Sequence, residues 1–466
     1  MNKFYITTPI YYVNDRPHIG HAYTTVAADV LARWRRAKGE KVFLSTGTDE
    51  HGAKVAAAAE KAGQSPQEFC DQKAQDFQQA WKSLGIQYDN FIRTTDEAHR
   101  LAVQAALQEM KNAEQIYQGD YEGLYCQSCE QYKNPDDLID GKCPEHQIVP
   151  QAMKEKSYFF RLSAWQSELA KRLEKNELAI EPAERKNEAV NFISKGLKDI
   201  SISRQNVKWG VDLPFDKEYT TYVWIDAFLN YLTVLGWSGK AGSAPEFFPP
   251  DVQLMSKDIL RVHATIWPAL LLALNLPLPK KIYVHGYFTI DGQKMSKSLG
   301  NVIWPEDLVA RFGQDGARYL LLSVLSFGQD SDVSWEKLSE KYNADLANNL
   351  GNLVSRVVKM NEKIKAVFGK APSRIKNLEK SLAGFRLKES LEEIWAQIDW
   401  ANKRIEETKL WELVKNNPEQ GKKILTELLS FIGEVGDALT PFLPATAEKI
   451  KKILQSGEAE ILFPRV

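Results

Sequence analysis

The N-terminal segment decides the fold: KFYITT at residues 3–8 precedes His18-Ile19-Gly20-His21, and KVFLS at residues 41–45 precedes TGTDEHG at residues 46–52. KFYITT and KVFLS are rich in β-branched and aromatic residues, which favour strands. Apolar residues recur at helical spacing after each of the other two segments. The pattern strand, loop, helix, repeated twice, predicts a parallel sheet covered by helices.

The composition is that of an ordinary globular protein. A chain of 466 residues is expected to form about three domains, because single cores rarely exceed about 250–300 residues. The formal net charge of −1, from 60 basic and 61 acidic residues, indicates that any surface for nucleic acid is a local patch. The basic stretch at residues 33–38 is one candidate, although a solvated helix end explains the same residues.

No segment of the sequence predicts a membrane span or a targeting signal. The most apolar run, residues 267–278, is short and contains Pro268 and Pro277. The N-terminus lacks an apolar signal core and an Arg/Ser-rich transit composition. We therefore expect a cytoplasmic protein without a membrane partner, whose four cysteines are metal ligands or free thiols rather than disulfides.

The residue pattern changes along the chain and marks separate regions. Three of the four cysteines lie between residues 125 and 146 with turn-forming prolines and glycine, which indicates an inserted module. Strand-like texture returns near residue 220 and at residues 281–286, and amphipathic runs at 342–368, 385–409 and 424–439 predict helices. We expect an α/β protein with a Rossmann-like parallel sheet, interrupted by the insert and followed by an all-α bundle.

The spacing of the inserted cysteines predicts a metal site. Cys126 and Cys129 are separated by two residues, as are Cys143 and His146, and thirteen residues lie between the pairs. Such a set suits one tetrahedral Zn²⁺ with no open position, which makes the metal structural. A reduced cysteine cluster beside an unrelated histidine is the alternative. Cys70 stands outside this set and is expected to be a half-buried thiol.

Two further motifs have the chemistry of a nucleotide site. His18 and His21 fall where a strand ends and a helix begins, so helix N–H groups and two imidazoles can meet phosphate oxygens, while Gly20 lets a nucleoside approach the backbone. Taken alone, two surface histidines at a helix N-cap explain this motif equally well. The second motif, KMSKS at residues 294–298, lies between glycines and predicts a mobile loop whose lysines follow a triphosphate.

In this order the two motifs resemble the paired nucleotide signatures of class I aminoacyl-tRNA synthetases, and the chain as a whole is similar to methionyl-tRNA synthetases of compact bacterial type. The segments that carry the narrower resemblance are TPIYYVN at residues 8–14, TGTDEHG at 46–52, YVWIDA at 222–227, KDILRVH at 257–263 and HGY at 285–287. The resemblance implies activation of L-methionine by ATP and Mg²⁺ to methionyl-adenylate and pyrophosphate. Transfer of the methionyl group to the terminal ribose of initiator and elongator tRNA(Met) would follow.

The resemblance also implies which residues act. Lys297 would be the principal charge on the leaving pyrophosphate, and Asp49 would pair with the substrate ammonium. The implied ATP-binding and catalytic residues are His18, Gly20, His21, Lys294 and Lys297. The implied methionine-binding residues are Ile10, Tyr12, Asp49, Trp224, Ala227, Tyr231, Ile259, His263 and Trp267. Sulfur–aromatic contacts favour such a lining, although ordinary core packing explains the aromatic residues if the motifs are set aside.

The same resemblance implies how the chain is divided. Residues 1–115 and 221–333 would form the two halves of the catalytic domain, residues 116–220 the connective insert, and residues 334–466 the anticodon-binding helices. Asn352 and Arg356, four apart on one helix face, would read the anticodon CAU together with Trp411. Leu410 stands where some relatives have proline. The appended dimerisation module of longer relatives is missing, so a monomer is expected.

Three other interpretations remain open at this point. Synthetases for leucine, isoleucine or valine share both motifs, but their insert carries a large editing domain, for which residues 116–220 are too few. A cysteinyl enzyme uses zinc to bind its substrate thiol, whereas the set predicted here is closed. The third alternative, a non-catalytic zinc-containing RNA-binding protein descended from a synthetase, conflicts with two intact signature motifs.

Overall fold

The computed structural model describes residues 2–466 except 127, 129, 130, 134–137, 145, 146, 206, 296–299, 325–328, 368 and 370–372. The side chains of residues 121, 122, 131, 132, 153–155 and 294 are likewise outside the description. Of the residues singled out in the sequence, Cys129, His146 and Lys297 lie outside the described residues, as does the side chain of Lys294.

The strands range in length from two residues to eleven. In chain order they are β1 (Lys3–Tyr12), β2 (Lys41–Asp49), β3 (Asn90–Arg93), β4 (Ile116–Cys126), β5 (Gln131–Lys133), β6 (Gln151–Phe160), β7 (Ala179–Glu181), β8 (Ile200–Ser201), β9 (Ser203–Arg204), β10 (Asp212–Leu213), β11 (Asp216–Thr221), β12 (Val252–Ser256), β13 (Lys281–His285), β14 (Phe288–Ile290), β15 (Gln293–Lys294) and β16 (Ser331–Val333).

The helices alternate with strands in the first two-thirds of the chain and then follow one another. They are α1 (Ile19–Ala37), α2 (Ala53–Lys61), α3 (Pro66–Ser83), α4 (Glu97–Asn112), α5 (Gln166–Glu174), α6 (Ala183–Ser194), α7 (Val223–Phe228), α8 (Asn230–Thr233), α9 (Leu260–Ala264), α10 (Ile266–Ala273), α11 (Pro305–Val324), α12 (Trp335–Lys341), α13 (Asn352–Ile364), α14 (Leu378–Ala383), α15 (Leu387–Glu407), α16 (Leu410–Asn416), α17 (Pro418–Leu439) and α18 (Pro444–Ser456).

Six strands form one parallel sheet in the order β3-β2-β1-β12-β13-β7. The prediction of a parallel sheet covered by helices is therefore confirmed. Because the strands share one direction, the carboxyl ends of β1, β2, β12 and β13 meet at one edge, which is where open α/β sheets bind ligands. Strand β7 falls within the expected insert yet pairs with β13 from Lys281 to Tyr283, so the insert segment also supplies the edge of the main sheet.

A second, antiparallel sheet lies in the middle of the chain, in the order β5-β4-β6-β8. Its long hairpin pairs β4 with β6 from Ile116 opposite Phe160 to Tyr125 opposite Gln151. Two smaller three-stranded sheets have the orders β10-β11-β9 and β15-β14-β16. The segment that contains the clustered cysteines therefore belongs to an antiparallel sheet, whereas the main sheet is parallel.

The chain is helical from α12 onward, as the sequence predicted. Tyr342–Gly351 form a π-helix that continues directly into α13, so the amphipathic run expected from residue 342 is one helical stretch with two hydrogen-bonding patterns, and it ends at Ile364 rather than at residue 368. Helices α15 and α17 cover the other two predicted runs. None of the helices among the described residues combines the length and the hydropathy that a membrane span requires.

A buried ion pair joins α11 to α1. Arg318 on α11 and Asp29 on α1 are both fully buried, and Nη2 of the arginine lies 2.8 Å from Oδ2 of the aspartate. The same guanidinium donates hydrogen bonds to the carbonyls of Leu84, Pro441 and Phe442. Removing one partner of such a buried pair costs about 3–5 kcal/mol. These contacts therefore fix α1 against the turn between α17 and α18.

Cys70 corrects one detail of the sequence analysis. Its thiol is fully buried rather than half-buried, because it lies on the inner face of α3 and donates to the carbonyl of Glu50 over 3.5 Å. Burial raises the pKa of the Cys70 thiol to about 12. The residue is therefore an inert part of the core.

Candidate active site

A cavity of about 440 Å³ opens at the carboxyl edge of the parallel sheet. Its walls come from the ends of β1, β2, β12 and β13, from the first turn of α1 and from helices α7 to α9. Of the residues implied by the resemblance, those that line it are His18, Gly20, His21, Ile10, Tyr12, Asp49, Trp224, Ala227, Tyr231, Ile259 and His263. Residues far apart in the sequence are thus assembled around one space.

Two histidines cap α1 and face this cavity. The main-chain N–H of Gly20 donates to Nδ1 of His18 over 3.0 Å, and the main-chain N–H of His18 donates to Nδ1 of His21 over 3.2 Å. The two imidazole rings stack with their centroids 3.9 Å apart. A Cβ atom at Gly20 would lie 2.8 Å from Cε1 of His18, so position 20 requires glycine to leave room for this ring.

These hydrogen bonds fix the tautomers of both rings. Because each Nδ1 accepts a main-chain N–H, a neutral ring carries its proton on Nε2. Burial lowers the pKa of His18 to about 4, and burial together with the charge of His18 lowers the pKa of His21 well below its usual value. Both side chains are therefore neutral near pH 7 and offer Nε2–H donors to an anion at the N-terminus of α1.

His263, which also lines the cavity, has the other tautomer: its Nδ1 carries the proton and its Nε2 is the acceptor. Nδ1–H of His263 donates to the carbonyl of Ile259 over 2.8 Å, so Nε2 accepts the hydroxyl of Tyr231 over 2.9 Å. Burial lowers the pKa of His263 to about 4, which keeps the ring neutral. With Trp224 and Ala227 from α7, these groups form a neutral, largely apolar pocket without a charged side chain among the four.

Asp49 contributes a carboxylate to the same cavity lining. It ends β2 directly opposite Tyr12 of β1 in the sheet register, and the main-chain N–H of Val13 donates to the Asp49 carbonyl over 3.2 Å. The carboxylate is therefore held on two paired strand ends, which are more rigid than a loop. Its position at the cavity suits a cationic group of a ligand.

Trp267 is the one residue of the implied methionine set that does not line the cavity. It is fully buried, and its ring stacks on Phe228 with centroids 5.8 Å apart. Its indole N–H donates to Oε1 of Gln253 over 3.0 Å. Trp267 therefore lies behind the wall, and Phe228 occupies the surface that faces the cavity.

His285 is a further buried histidine at this edge, and the sequence alone did not indicate its two hydrogen bonds. Nδ1–H of His285 donates to the carbonyl of Gly286 over 2.7 Å, and its Nε2 accepts the hydroxyl of Thr24 over 2.7 Å. Burial lowers the pKa of His285 to about 4. The sequence marks HGY as a motif, and the fold shows that His285 connects β13 to α1 through Thr24.

The second nucleotide motif reaches the cavity through Met295, which lines it next to Gly20. The backbone of Lys294 pairs with Thr289 in the hairpin of β14 and β15, so this lysine belongs to a short strand rather than to a loop. Lys297 lies outside the described residues.

Half of the predicted metal set can be placed. Cys126 ends β4, and Cys143 lies in the loop before β6; both thiols are fully buried. The main chain of Cys143 forms a tight turn, with its N–H bonded to the carbonyl of Ile148 and its carbonyl accepting the N–H of Gln147. Buried thiols in a small module are the donor chemistry that a structural zinc requires.

The three residues implied for anticodon reading meet on the helical bundle. Nη2 of Arg356 lies 2.7 Å from Oε1 of Glu406, and the guanidinium carbon lies 6.0 Å from the ring centroid of Trp411. Asn352 is exposed one turn earlier on the same helix, and Trp411 is 37% exposed, which is unusual for tryptophan. These side chains form one accessible surface.

Comparison with known proteins assigns the class first. Residues 4–148 and 134–358 match the family model described as tRNA synthetases class I (M). The chain is thus a member of the class I tRNA synthetases.

More specific relatives narrow this class. A methionine–tRNA ligase of Caldanaerobacter subterraneus subsp. tengcongensis is 41% identical over 502 residues, covering 99% of this chain and 79% of that protein. One from Thermotoga maritima is 43% identical over 471 residues, with coverage of 96% and 74%. The structure of Mycobacterium tuberculosis methionyl-tRNA synthetase in complex with methionyl-adenylate matches with a TM-score of 0.90 at 34% identity, over 100% of this chain and 98% of that one. The chain belongs to the methionine–tRNA ligase family.

Proposed function

We propose that the cavity binds ATP and methionine together and joins them as methionyl-adenylate. The observation that carries this proposal is the composition of one cavity lining: neutral Nε2–H donors of His18 and His21 at a helix N-terminus, neutral side chains around Tyr231 and His263, and the carboxylate of Asp49. The Nε2–H donors suit phosphate, and the neutral side chains suit a thioether side chain. The relative bound to methionyl-adenylate supports this assignment.

Each part of this lining has a defined role in the reaction. Asp49 pairs with the methionine ammonium, while Trp224 and Tyr231 enclose the side chain, so that the carboxylate turns toward Gly20 and the nucleotide. One carboxylate oxygen attacks the α-phosphorus of ATP, supplied with Mg²⁺, and the bond to the bridging oxygen breaks as pyrophosphate leaves. No side chain forms a covalent bond, so positioning and charge stabilisation carry the reaction.

The imidazoles and lysines act on the leaving group. As negative charge moves onto the β-phosphate, hydrogen bonds from Nε2–H of His18 and His21 become stronger. Lys294 and Lys297 add positive charge on the other side of the triphosphate. In the second step, the terminal ribose hydroxyl of tRNA(Met) attacks the methionyl carbonyl, and AMP leaves. Charging of purified tRNA(Met) with methionine, followed by separation of charged from free tRNA, tests this step.

We propose that Cys126, Cys129, Cys143 and His146 hold one structural Zn²⁺ in the connective insert. The burial of Cys126 and Cys143 in a module with little core of its own supports this proposal. Bound zinc would supply folding free energy to the insert and take no part in adenylate formation.

For zinc, we expect wild-type protein to contain close to one zinc per chain by elemental analysis, and Cys126→Ser to contain less than about a fifth of that amount, because three ligands hold zinc weakly. Cys70→Ser is the control, since it removes a buried thiol outside the set and is expected to retain the metal. Equal metal content in the two variants would contradict the assignment.

We propose that Asn352, Arg356 and Trp411 contact the anticodon of tRNA(Met). Their exposure and the side-by-side placement of a guanidinium and an indole suit stacking and hydrogen bonding to splayed bases.

The proposed domain division follows the sequence boundaries, with β7 belonging to the catalytic sheet. A monomeric state remains a prediction, which light scattering of the purified chain would test.

Trp411→Ala is expected to raise the KM for tRNA(Met) by about 10-fold to 100-fold, because loss of one base stack costs about 1–3 kcal/mol. Methionine-dependent ATP–pyrophosphate exchange, which involves no tRNA, should be unchanged. Lys451→Gln on α18, an exposed lysine that pairs with Asp437 and lies outside the three-residue set, is the control and should leave both measurements close to wild type. A loss of exchange in Trp411→Ala would instead indicate a general structural defect.

A further inference from the structure

A carboxylate buried behind the cavity wall receives hydrogen bonds from two imidazoles. Oδ2 of Asp226 lies 2.6 Å from Nδ1 of His51, and its Oδ1 lies 2.7 Å from Nε2 of His99. Asp226 and His99 are fully buried, and the His51 side chain is almost so. None of the three lines the cavity. The proposed reaction assigns them no part, although burying three ionisable groups is costly unless they are paired.

The three residues join two elements that each contribute to the cavity lining. His51 follows Asp49 by two residues, Asp226 lies on α7 between Trp224 and Ala227, and His99 lies on α4. The network therefore connects the segment that bears the cavity carboxylate to the helix that forms the apolar wall.

Further contacts make both ends of this connection rigid. Nδ1 of His99 lies 2.7 Å from the hydroxyl of Thr233 on α8, which follows the helix of Asp226. On the other side, Arg93 donates to both carboxylate oxygens of Glu50 over 2.8 and 2.9 Å, and Thr48 donates to the same carboxylate. Burial opposes ionisation of Asp226, but the charges and hydrogen bonds of His51 and His99 lower its pKa to about 2, so it is a carboxylate at neutral pH.

We propose that Asp226, with His51 and His99, is a positioning residue that sets the distance from Asp49 to the wall formed by Trp224 and Ala227, and thereby the length of the amino-acid side chain that is accepted. This proposal rests on the proposed function, because it takes Asp49 as the partner of the substrate ammonium. An amino acid whose ammonium is held by Asp49 contacts Trp224 and Ala227 with the end of its side chain. The distance between Asp49 and this wall therefore limits the length of side chain that fits. One methylene in such a pocket changes specificity by about 10-fold to 200-fold.

The test is Asp226→Asn, which keeps the volume but replaces one acceptor oxygen with an N–H₂ group. In ATP–pyrophosphate exchange we expect the KM for methionine to rise by about 10-fold and the preference for methionine over ethionine, which is one methylene longer, to fall by at least about 3-fold. The KM for ATP should stay within about 2-fold of wild type, because the α1 terminus is not touched. Asp29→Asn is the matched control: it also removes a fully buried carboxylate bonded to N–H donors, yet it lies away from the cavity. It should lower Tm and leave the methionine preference unchanged.

A pair of substitutions at His51 keeps the proposal testable if Asp226→Asn does not fold. His51→Asn retains an N–H donor near the Nδ1 position and should keep the wild-type preference, whereas His51→Leu fills similar space without a donor and should lose it. If Leu and Asn give the same preference, or if methionine and ATP KM values change in parallel, the positioning role is wrong. Absence of methionine-dependent exchange in the wild-type protein would instead overturn the proposed function itself.

Discussion

His18→Asn is expected to lower kcat for ATP–pyrophosphate exchange by about 10²–10³-fold, the usual effect of removing one donor from a developing charge. The asparagine Oδ1 can take the place of Nδ1 and still accept the Gly20 N–H, so the cap of α1 is retained. No atom of asparagine reaches the position of Nε2. The variant therefore removes the donor to phosphate while the helix start is preserved.

His18→Gln is the matched control for this prediction. Its terminal amide nitrogen lies near the Nε2 position, so the donor is kept, but the cap is lost at a cost of about 0.5–2 kcal/mol of stability. We expect His18→Gln to be less stable and more active than His18→Asn. The opposite order of activity would show that His18 acts through the helix cap alone.

The lowered pKa of His18 affects how stability depends on pH. Since the pKa of His18 falls from 6.5 to about 4 on folding, the folded state binds fewer protons than the unfolded state as the pH falls through this window. His18 therefore contributes a loss of stability below about pH 6.5 and none above it. Exchange activity should show no step from His18 between about pH 6 and about pH 8.

Asp49→Asn is expected to raise the KM for methionine by about 30-fold to several thousand-fold, because truncating one partner of a hydrogen-bonded charge pair costs about 2–5 kcal/mol. The asparagine fits the same space on β2, so the strand pairing with Tyr12 is kept. The KM for ATP should change little, because the phosphate donors are on α1. Steady-state exchange with each substrate varied in turn measures both values.

Asp89→Asn provides the control for Asp49→Asn. Its carboxylate accepts the main-chain N–H of Leu44 on the same strand, distant from the cavity lining. We expect this variant to lose some stability and to keep the wild-type KM for methionine. If both variants raised that KM equally, the effect of Asp49 would come from disturbance of β2 and not from its charge.

Local pattern was sufficient to predict the elements that place the site. The strand and helix of residues 3–37 follow from β-branched residues and helical spacing, and their junction places His18 and His21 at the cavity. The helical final third was equally predictable, because amphipathic spacing alone specifies it. The position of β7 was not predictable, since a three-residue strand acquires its identity only from its pairing with β13.

The parts that could not be predicted depend on contacts between distant segments. His51, His99 and Asp226 come from three separate elements, and nothing in their local sequence indicates a shared hydrogen-bond network. Trp267 and Trp224 are both tryptophans within apolar segments, so the local sequence does not distinguish them. The fold places Trp267 behind Phe228 and outside the cavity lining. The tautomers of the site histidines likewise follow only from which main-chain groups their rings meet.

We conclude that one cavity activates methionine with ATP. The most direct measurement is ATP–pyrophosphate exchange by the purified chain with each of the twenty amino acids supplied singly. Exchange that depends on methionine and exceeds the rate with every other amino acid is the result we predict. Exchange driven by leucine, isoleucine or cysteine in place of methionine, or no exchange with any amino acid, would contradict the account.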